Sequence, residues 1–430
     1  MKAYQAYKPS GVEWLGEVPE HWEICPIRNI FKFRNEKNNP VRTENILSLS
    51  IANGVTEYTE ENRGGNKRKD DLTAYKLAYP NDIVLNSMNV IVGAVGRSKF
   101  FGAISPVYYA LYLYRNDDIR FYDYVFSNSY FQRGLLQYGK GILIKKSDSG
   151  KLNTIRMKIS QDDLKMLFFP RPPLAEQQKI AQYLDTKTAK IDTLIDEQNR
   201  LIALLQEQRK AVISHAVTKG INPTTPMKPS GVEWLGEVPE HWEVKRLKYA
   251  LQLSNEKTES KNSDLRYIGM ENIISNRGEL TENILQADGM ANVFYENEIL
   301  FGKLRPYLAK VYLANFNGIC STEFLVYKIK NIIAHKFAFY LLISQGFIDI
   351  VNSSTYGSKM PRANADFLAN LSIPIPPLSE QNEIVAYIET QTAQIDALID
   401  EQKNLIDRLN EYRTALISAA VTGKIDVQAA

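Results

Sequence analysis

The stretch Lys8-Pro9-Ser10-Gly11-Val12-Glu13-Trp14-Leu15-Gly16-Glu17-Val18-Pro19-Glu20-His21-Trp22-Glu23 occurs twice, its second copy running unchanged from Lys228 to Glu243. Any fold must house this element in two places, so the repeat constrains architecture before local propensity does. All four tryptophans, Trp14, Trp22, Trp234 and Trp242, lie within the copies. A looser pair begins at Pro172-Pro173-Leu174-Ala175-Glu176-Gln177 and Pro376-Pro377-Leu378-Ser379-Glu380-Gln381. The tryptophan motifs are 220 residues apart and the later segments 204, so the segment between them is 16 residues longer in the first half. Those intervening segments, roughly 24–169 and 244–373, share no comparable identity. The order is tryptophan motif, variable domain and long segment, then all three again.

The long segments have helical periodicity. Counting in sevens gives Leu184, Ile191, Gln198, Leu205 and Val212 in the first copy, and Ile388, Ile395, Gln402, Leu409 and Leu416 in the second. Flanking stripes run Leu194, Ile195, Leu201, Ile202 and Leu398, Ile399, Leu405, Ile406. A seam two to three positions wide per heptad is that of a coiled coil. Prolines precede each first turn, and Glu176 or Glu380 sits where the helix dipole favours an anion. Gly220 with Pro223, and Gly423, mark the stops. Each helix is expected to run about 45 residues, roughly 65 Å at 1.5 Å per residue. A lone helix of this kind would expose its stripe, so antiparallel pairing within the chain is expected, giving a pseudo-twofold repeat. Gln198 and Gln402 interrupt the seam at equivalent places, either as tolerated polar core residues or as a pair that pins the register.

Net charge is +3, but its distribution is uneven. Residues 24–169 carry 22 Lys and Arg against 14 Asp and Glu, and residues 244–373 carry 15 against 12. Residues 374–430 carry 4 against 9. Phosphate-tracking proteins concentrate base where the nucleic-acid backbone runs, which points to the variable domains. Candidate contacts in the first are Arg63, Lys67, Arg68, Lys69, Lys140, Lys145 and Lys146. In the second they are Lys303, Arg305, Tyr356, Ser358, Lys359 and Arg362. Short β-branched and aromatic runs at 82–85, 107–114, 298–301 and 324–327 predict strands, with a helix over 335–351, so each domain is α+β. The architecture expected is two α+β domains joined by two long antiparallel coiled-coil-like helices. The boundaries are 1–169, 170–220, 221–373 and 374–430, alternating motif-plus-domain with long helix.

Motifs for chemistry are missing where they would be expected. The Pro-Pro pairs lack the Asn/Asp and Tyr/Phe that an amino-methyltransferase places around them, and no G-x-G-x-x-G occurs. Gly134 to Gly141 approaches a P-loop, but Gly141 stands where a magnesium-binding Ser or Thr is required. Cys25 and Cys320 form neither a disulfide framework nor a zinc pattern. The four histidines are isolated, with His21 and His241 set beside Trp22 and Trp242. No catalytic residue and no metal ligand is assigned. With no run of 18 apolar residues and a polar start, a cytoplasmic chain without a membrane segment is expected.

Together these residues resemble the specificity subunit of type I restriction-modification systems. The resemblance rests on the tryptophan motif, the Pro-Pro-Leu-x-Glu-Gln helix start and the repeated Ile-Asp-x-Leu-Ile-Asp-Glu-Gln. It extends to Leu300-Phe301-Gly302-Lys303-Leu304-Arg305-Pro306-Tyr307-Leu308 and Ser321-Thr322-Glu323-Phe324-Leu325-Val326 in the second variable domain. In the first domain Asn86-Ser87-Met88-Asn89 stands where Gly302-Lys303-Leu304-Arg305 stands in the second. The resemblance implies two target-recognition domains, each reading half of a bipartite site in double-stranded DNA. It implies helices that set the spacing, with Leu184, Ile191, Gln198, Leu205, Ile388, Ile395, Gln402 and Leu409 at the pairing or partner interface. It also implies two modification (methyltransferase) subunits and restriction (translocase and nuclease) subunits as partners. S-adenosylmethionine, ATP and Mg would reside on those partners and no cofactor on this chain. The competing reading is a coiled-coil scaffold whose globular heads bind protein.

Overall fold

The computed structural model describes residues 2–51, 53–59, 71–89, 93–142, 156–282, 289–355 and 360–429. Two helices dominate it, Leu174–Lys219 and Leu378–Val421, of 46 and 44 residues. The chain divides into two compact units, Met1–Glu197 with Leu405–Ala430, and Gln198–Asn404. Compactness thus cuts each long helix near its middle, where the sequence frame kept each helix whole. The first unit holds the start of the first helix and the end of the second; the second unit holds the remaining parts.

Within each unit the helix segments pair antiparallel. In the first, Ile180, Leu184 and Ile191 share a core with Leu416, Ile417 and Ala420. In the second, Leu205 packs against Ile395 and Ile399. An arginine–aspartate pair marks the register in each: Arg413 Nε is 3.4 Å from Asp192, and Arg209 Nε is 3.2 Å from Asp396. These are the same two positions one repeat apart.

Both units build a four-stranded antiparallel sheet with one topology. Its spatial order is Phe31–Arg34, Tyr108–Leu113, Ile83–Asn86, Val95–Arg97 in the first. In the second it is Leu251–Ser254, Phe324–Ile329, Ile299–Gly302, Val311–Leu313. The inner strands read as unbroken apolar runs because both faces are covered. Ile83 and Leu85 face the aromatic core of Phe121, Phe126 and Phe169, while Val84 faces a second core with Leu47 and Ile104. Likewise Ile299 and Phe301 join the core of Trp242 and Phe337, and Leu300 that of Phe294 and Phe324. The period of two sorts alternate side chains between two cores.

Beyond that sheet the units diverge. The second adds a mixed four-stranded sheet, in which Tyr267–Ile268 pairs parallel with Gly318–Ser321. The first has two-stranded pairs there, Leu47–Ser50 with Gly54–Glu57 and Lys76–Ala78 with Gly102–Ile104.

One expected helix is broken. The helical pattern over 335–351 is two helices, His335–Ile343 and Gln345–Ser353. Ser344 between them is extended at φ −63° and ψ 144°, and its hydroxyl donates to the Leu341 carbonyl at 2.7 Å. Its side chain satisfies the carbonyl that a continuing helix would have used.

The repeated motifs explain themselves once placed. In each unit a hairpin from the tryptophan motif, Tyr7–Pro9 with Glu17–Pro19 or Met227–Pro229 with Glu237–Pro239, sits on the end of a long helix. Lys424 donates to the Glu17 carbonyl at 2.6 Å. Lys219 does the same for Leu235 at 2.8 Å, and also reaches Glu237. Gly423 and Gly220 take the left-handed conformation there, and a Cβ on Gly423 would stand 2.3 Å from Pro19. Only glycine ends a helix this close to a neighbour.

The Glu-Gln dipeptide at each helix start faces two ways. Glu176 is nearly buried, yet it accepts from Trp22 Nε1 at 3.0 Å and from the Tyr4 hydroxyl, and lies 2.8 Å from His21 Nε2. Glu380 repeats this with Trp242 at 3.0 Å and His241 at 2.7 Å, without a tyrosine. The histidines therefore meet a carboxylate rather than only the indole beside them. Gln177 turns to the variable domain, accepting from the Asp118 N–H at 2.8 Å and donating to Asp117 and the Pro172 carbonyl. Gln381 accepts from the Ala334 N–H at 2.6 Å and donates to the Ile332 and Pro376 carbonyls.

Candidate nucleic-acid interface

In the second unit, three of the candidate side chains, Lys303, Arg305 and Arg362, fall on described residues, at one end of the four-stranded sheet. Strand Ile299–Gly302 delivers a turn that is held on both sides. Lys303 N–H donates to the Glu323 carbonyl at 2.9 Å, and the Lys303 carbonyl accepts from Ala363 at 2.8 Å. Arg305 N–H donates to the Pro361 carbonyl at 2.8 Å, and Leu304 bridges antiparallel to Arg362. Gly302 makes this possible, since a Cβ there would stand 2.8 Å from Met270 Cε and 3.0 Å from the Lys310 carbonyl. So Lys303, Arg305 and Arg362, distant in sequence, share one surface.

Arg305 is the distinctive residue. Its backbone is left-handed, at φ 51° and ψ 64°, directly before Pro306, and its side chain is exposed. A non-glycine residue held there costs about 1–3 kcal/mol and persists where surrounding contacts over-determine it. The Pro361 bond and the flanking β-bridge supply those contacts. Exposed Tyr307 lies two residues on. An arginine fixed at a rigid tip presents five donors in a fork suited to guanine or to phosphate.

Arg362 is engaged already. Its guanidinium forks onto Glu323 at 3.0 and 3.2 Å, and that contact pushes its pKa further up. Glu323 therefore neutralises one of the candidate cations. Tyr356, Ser358 and Lys359 lie outside the described residues.

The first unit presents different chemistry at the same turn. Asn86 and Ser87 are buried, Ser87 Oγ donates to the Val107 carbonyl at 2.8 Å, and Asn86 Oδ1 accepts from Met88 N–H at 3.0 Å. No cation projects from Asn86 to Asn89. Instead Lys140 is exposed on strand Lys140–Ile142 and stands directly opposite Lys158 on Arg156–Lys158. Like charges paired across two strands are destabilising unless an anion joins them. Burial pushes the nearby Lys76 ammonium down, and Lys158 adds to that; Lys76 donates to the Tyr108 carbonyl at 2.9 Å. Arg63, Lys67, Arg68, Lys69, Lys145 and Lys146 lie outside the described residues.

On the helices, Leu184, Ile191, Leu205, Ile388 and Ile395 are buried, while Gln198, Gln402 and Leu409 are half-buried. Gln402 is not bonded to Gln198 among the described residues. The flanking stripe splits in two. Ile195 and Ile202 pack into cores and Ile399 is buried, whereas Leu194, Leu201, Leu398 and Leu405 are 40–45% exposed and Leu204 is 62% exposed. The sequence pattern could not separate these edges, because both lie within one helical turn of the seam.

Chemistry elsewhere is muted. Among the described residues, no three His, Cys, Asp or Glu side chains gather as a metal site. Cys25 and Cys320 are buried free thiols, and burial pushes Cys25 up to about 11 and Cys320 higher. Among the described residues, no helix is long and apolar enough to cross a membrane.

The family model described as the type I restriction modification DNA specificity domain matches residues 239–408. The chain is 26% identical over 310 residues to the type I restriction enzyme EcoDI specificity subunit of Escherichia coli, covering 67% of this chain and 69% of that one. It is 23% identical over 435 residues to the MjaVIII specificity subunit of Methanocaldococcus jannaschii, covering 96% and 94%. In fold it is similar to a chain of a type I R-M system solved for its complex assembly and conformational transition. That match has a TM-score of 0.66 at 12% identity, and covers 95% of this chain and 99% of the other.

Proposed function

Because the chain belongs to the type I restriction-modification specificity family, we propose that it reads a split DNA site with two heads, one per unit, and brings partner enzymes to it. Its role is DNA sequence specificity. The observation that carries the two-headed reading is one frame bearing two different tips: a rigid Arg305 turn in one unit, and in the other an Asn86–Asn89 turn without a cation, in a domain that exposes Lys140 instead. Identical frames serve a common partner and spacing, while divergent tips serve two different half-sites.

Under this reading the chain carries out no catalysis. Two methyltransferase subunits, holding S-adenosylmethionine, dock on the long helices, and restriction subunits supply ATP- and Mg-dependent translocation and cleavage. The exposed leucines Leu194, Leu201, Leu398 and Leu405 support helix docking, since they repeat at heptad spacing on both helices and are left uncovered. The complex works in the cytoplasm.

The test is to map methylated adenines in host DNA and then to lengthen both helices. Four residues inserted near Gln198 and near Gln402 add roughly 6 Å if helical. Base pairs stack about 3.4 Å apart, so the spacer is expected to grow by about one or two base pairs with both half-sites unchanged. An unchanged spacer refutes the ruler. Duplex affinity with no dependence on salt would favour the protein-binding scaffold instead.

A further inference from the structure

Arg209 and Arg413 occupy one position of the repeat, and their surroundings differ. Arg209 is filled: its Nε meets Asp396 at 3.2 Å, and its Nη1 donates to the Asn276 carbonyl at 3.0 Å. Arg277 completes that cluster by donating to Asp396 at 3.0 Å, and the Arg209 side chain is only 12% exposed. In the second unit, then, a turn of the variable domain closes over the helix arginine.

Arg413 in the first unit has no such cover. Its side chain is 42% exposed, and its Nε, buried and 3.4 Å from Asp192, makes no hydrogen bond. It lines a cleft of about 550 Å³ within that unit, and Arg97 and Lys99 of the variable domain line the same cleft. Three cations line this space, against Asp123 in the lining and Asp192, which pairs with Arg413 from the helix. Asp123 accepts from the Arg97 N–H at 3.1 Å. Arg97 Nε remains 3.9 Å from it, and Lys99 is exposed. The backbone is pared down in the lining, where Gly54 and Gly96 approach so closely that a Cβ on Gly96 would stand 3.1 Å from Gly54 Cα. A cleft with surplus positive charge, an unsatisfied guanidinium N–H and small residues in its lining fits a tetrahedral oxyanion.

We propose that this cleft seats one backbone phosphodiester of the duplex, gripped by Arg413 from the long helix and by Lys99 and Arg97 from the variable domain. The proposal rests on the DNA-reading function above and adds a contact that reads no bases. It makes the helix part of the DNA surface in the first unit, at the place where in the second unit the protein caps its own arginine.

The test is the salt dependence of duplex binding by the full chain, with a mixed-sequence duplex as probe. Each phosphate contact contributes about 0.9 to the slope of log affinity against log salt. Arg413→Ala and Lys99→Ala each remove part of the grip on that one phosphate, so each is expected to lower the slope measurably, by less than about 0.9, and to weaken all sequences alike. Arg413→Lys should retain most of the slope, which separates lost charge from damaged helix pairing. Arg209→Ala should leave the slope at the parent value, because that guanidinium is occupied. If the parent binds duplex and neither Arg413→Ala nor Lys99→Ala changes the slope, the seat is refuted while the DNA reading stands. If the parent binds no duplex, the DNA reading itself fails. Inorganic phosphate that raises the melting temperature of the parent but not of Arg413→Ala would then assign the cleft to a free anion, overturning the phosphodiester.

Discussion

The indole N–H of Trp22 meets the Glu176 carboxylate at 3.0 Å, and 204 residues further along the helix repeat Glu380 accepts from Trp242 at the same distance. Each carboxylate fastens a tryptophan hairpin to the first turn of a long helix. The copies are unequal, however: Glu176 also takes the Tyr4 hydroxyl and is more deeply buried than Glu380.

Glu176→Ala would leave the Trp22 N–H and the Tyr4 hydroxyl without their acceptor. A buried donor left unpaired costs about 1–3 kcal/mol, so a clear loss of stability is expected. Glu380→Ala should cost less. Denaturant titration of the two variants, followed by tryptophan fluorescence, checks the order.

At the second tip, Arg305→Ala is expected to cost about 1–3 kcal/mol of site affinity and to relax specificity in one half-site, if it reads a base. Glu323→Gln acts in the opposite direction, because it frees the Arg362 fork. It should strengthen binding to every duplex and steepen the salt slope by about 1. Equal slopes for parent and Glu323→Gln would mean that Arg362 faces no phosphate.

Deleting a long helix is a poor test of partner docking, since Ile384, Ile388, Leu416 and Ala420 lie in the cores of the units. Substituting the exposed leucines is cleaner. Leu194→Glu with Leu398→Glu should abolish co-purification with a methyltransferase subunit and leave the melting temperature of the isolated chain close to that of the parent. Retained co-purification would place the docking surface elsewhere.

Burial pushes the Asp123 carboxyl up from 3.8 to about 6, against the opposing pull of Arg97 and Lys99 and with a small further push from Asp185. A carboxyl raised on folding favours the protonated native state. Its stabilising share is complete below the unfolded value and is lost as pH rises through about 6. Asp123→Asn removes that loss, so its stability should fall less than the parent's between pH 4 and pH 7. Parallel stability curves for the two proteins would contradict the assignment.

Much of the frame was legible because it is written twice. The helix pattern predicted about 45 residues, and the helices span 46 and 44. The four central strands lie where apolar runs place them. What escaped depends on long-range contacts. The neutralising partner of Arg362 is Glu323, 39 residues away, and no local pattern joins them. Glu176 reads in sequence as an anion at a helix start; its work for Trp22 emerges only when residues 154 apart meet. The break at Ser344 was hidden because the apolar spacing runs through it, while the Ser344 hydroxyl bond to Leu341 and the Gln345 N–H bond to Ser214, 131 residues away, hold the helix ends apart.

The glutamine beside each clasp has a structural corollary. Gln381 holds the second variable domain through the Ala334 N–H and the Ile332 carbonyl, both main-chain groups. Gln177 takes a main-chain N–H at Asp118 in the same manner, with one side-chain contact to Asp117. A socket that recognises peptide bonds places little demand on side-chain identity. A segment placed between these seams need therefore only present its chain at the right height to be held, whatever side chains it carries.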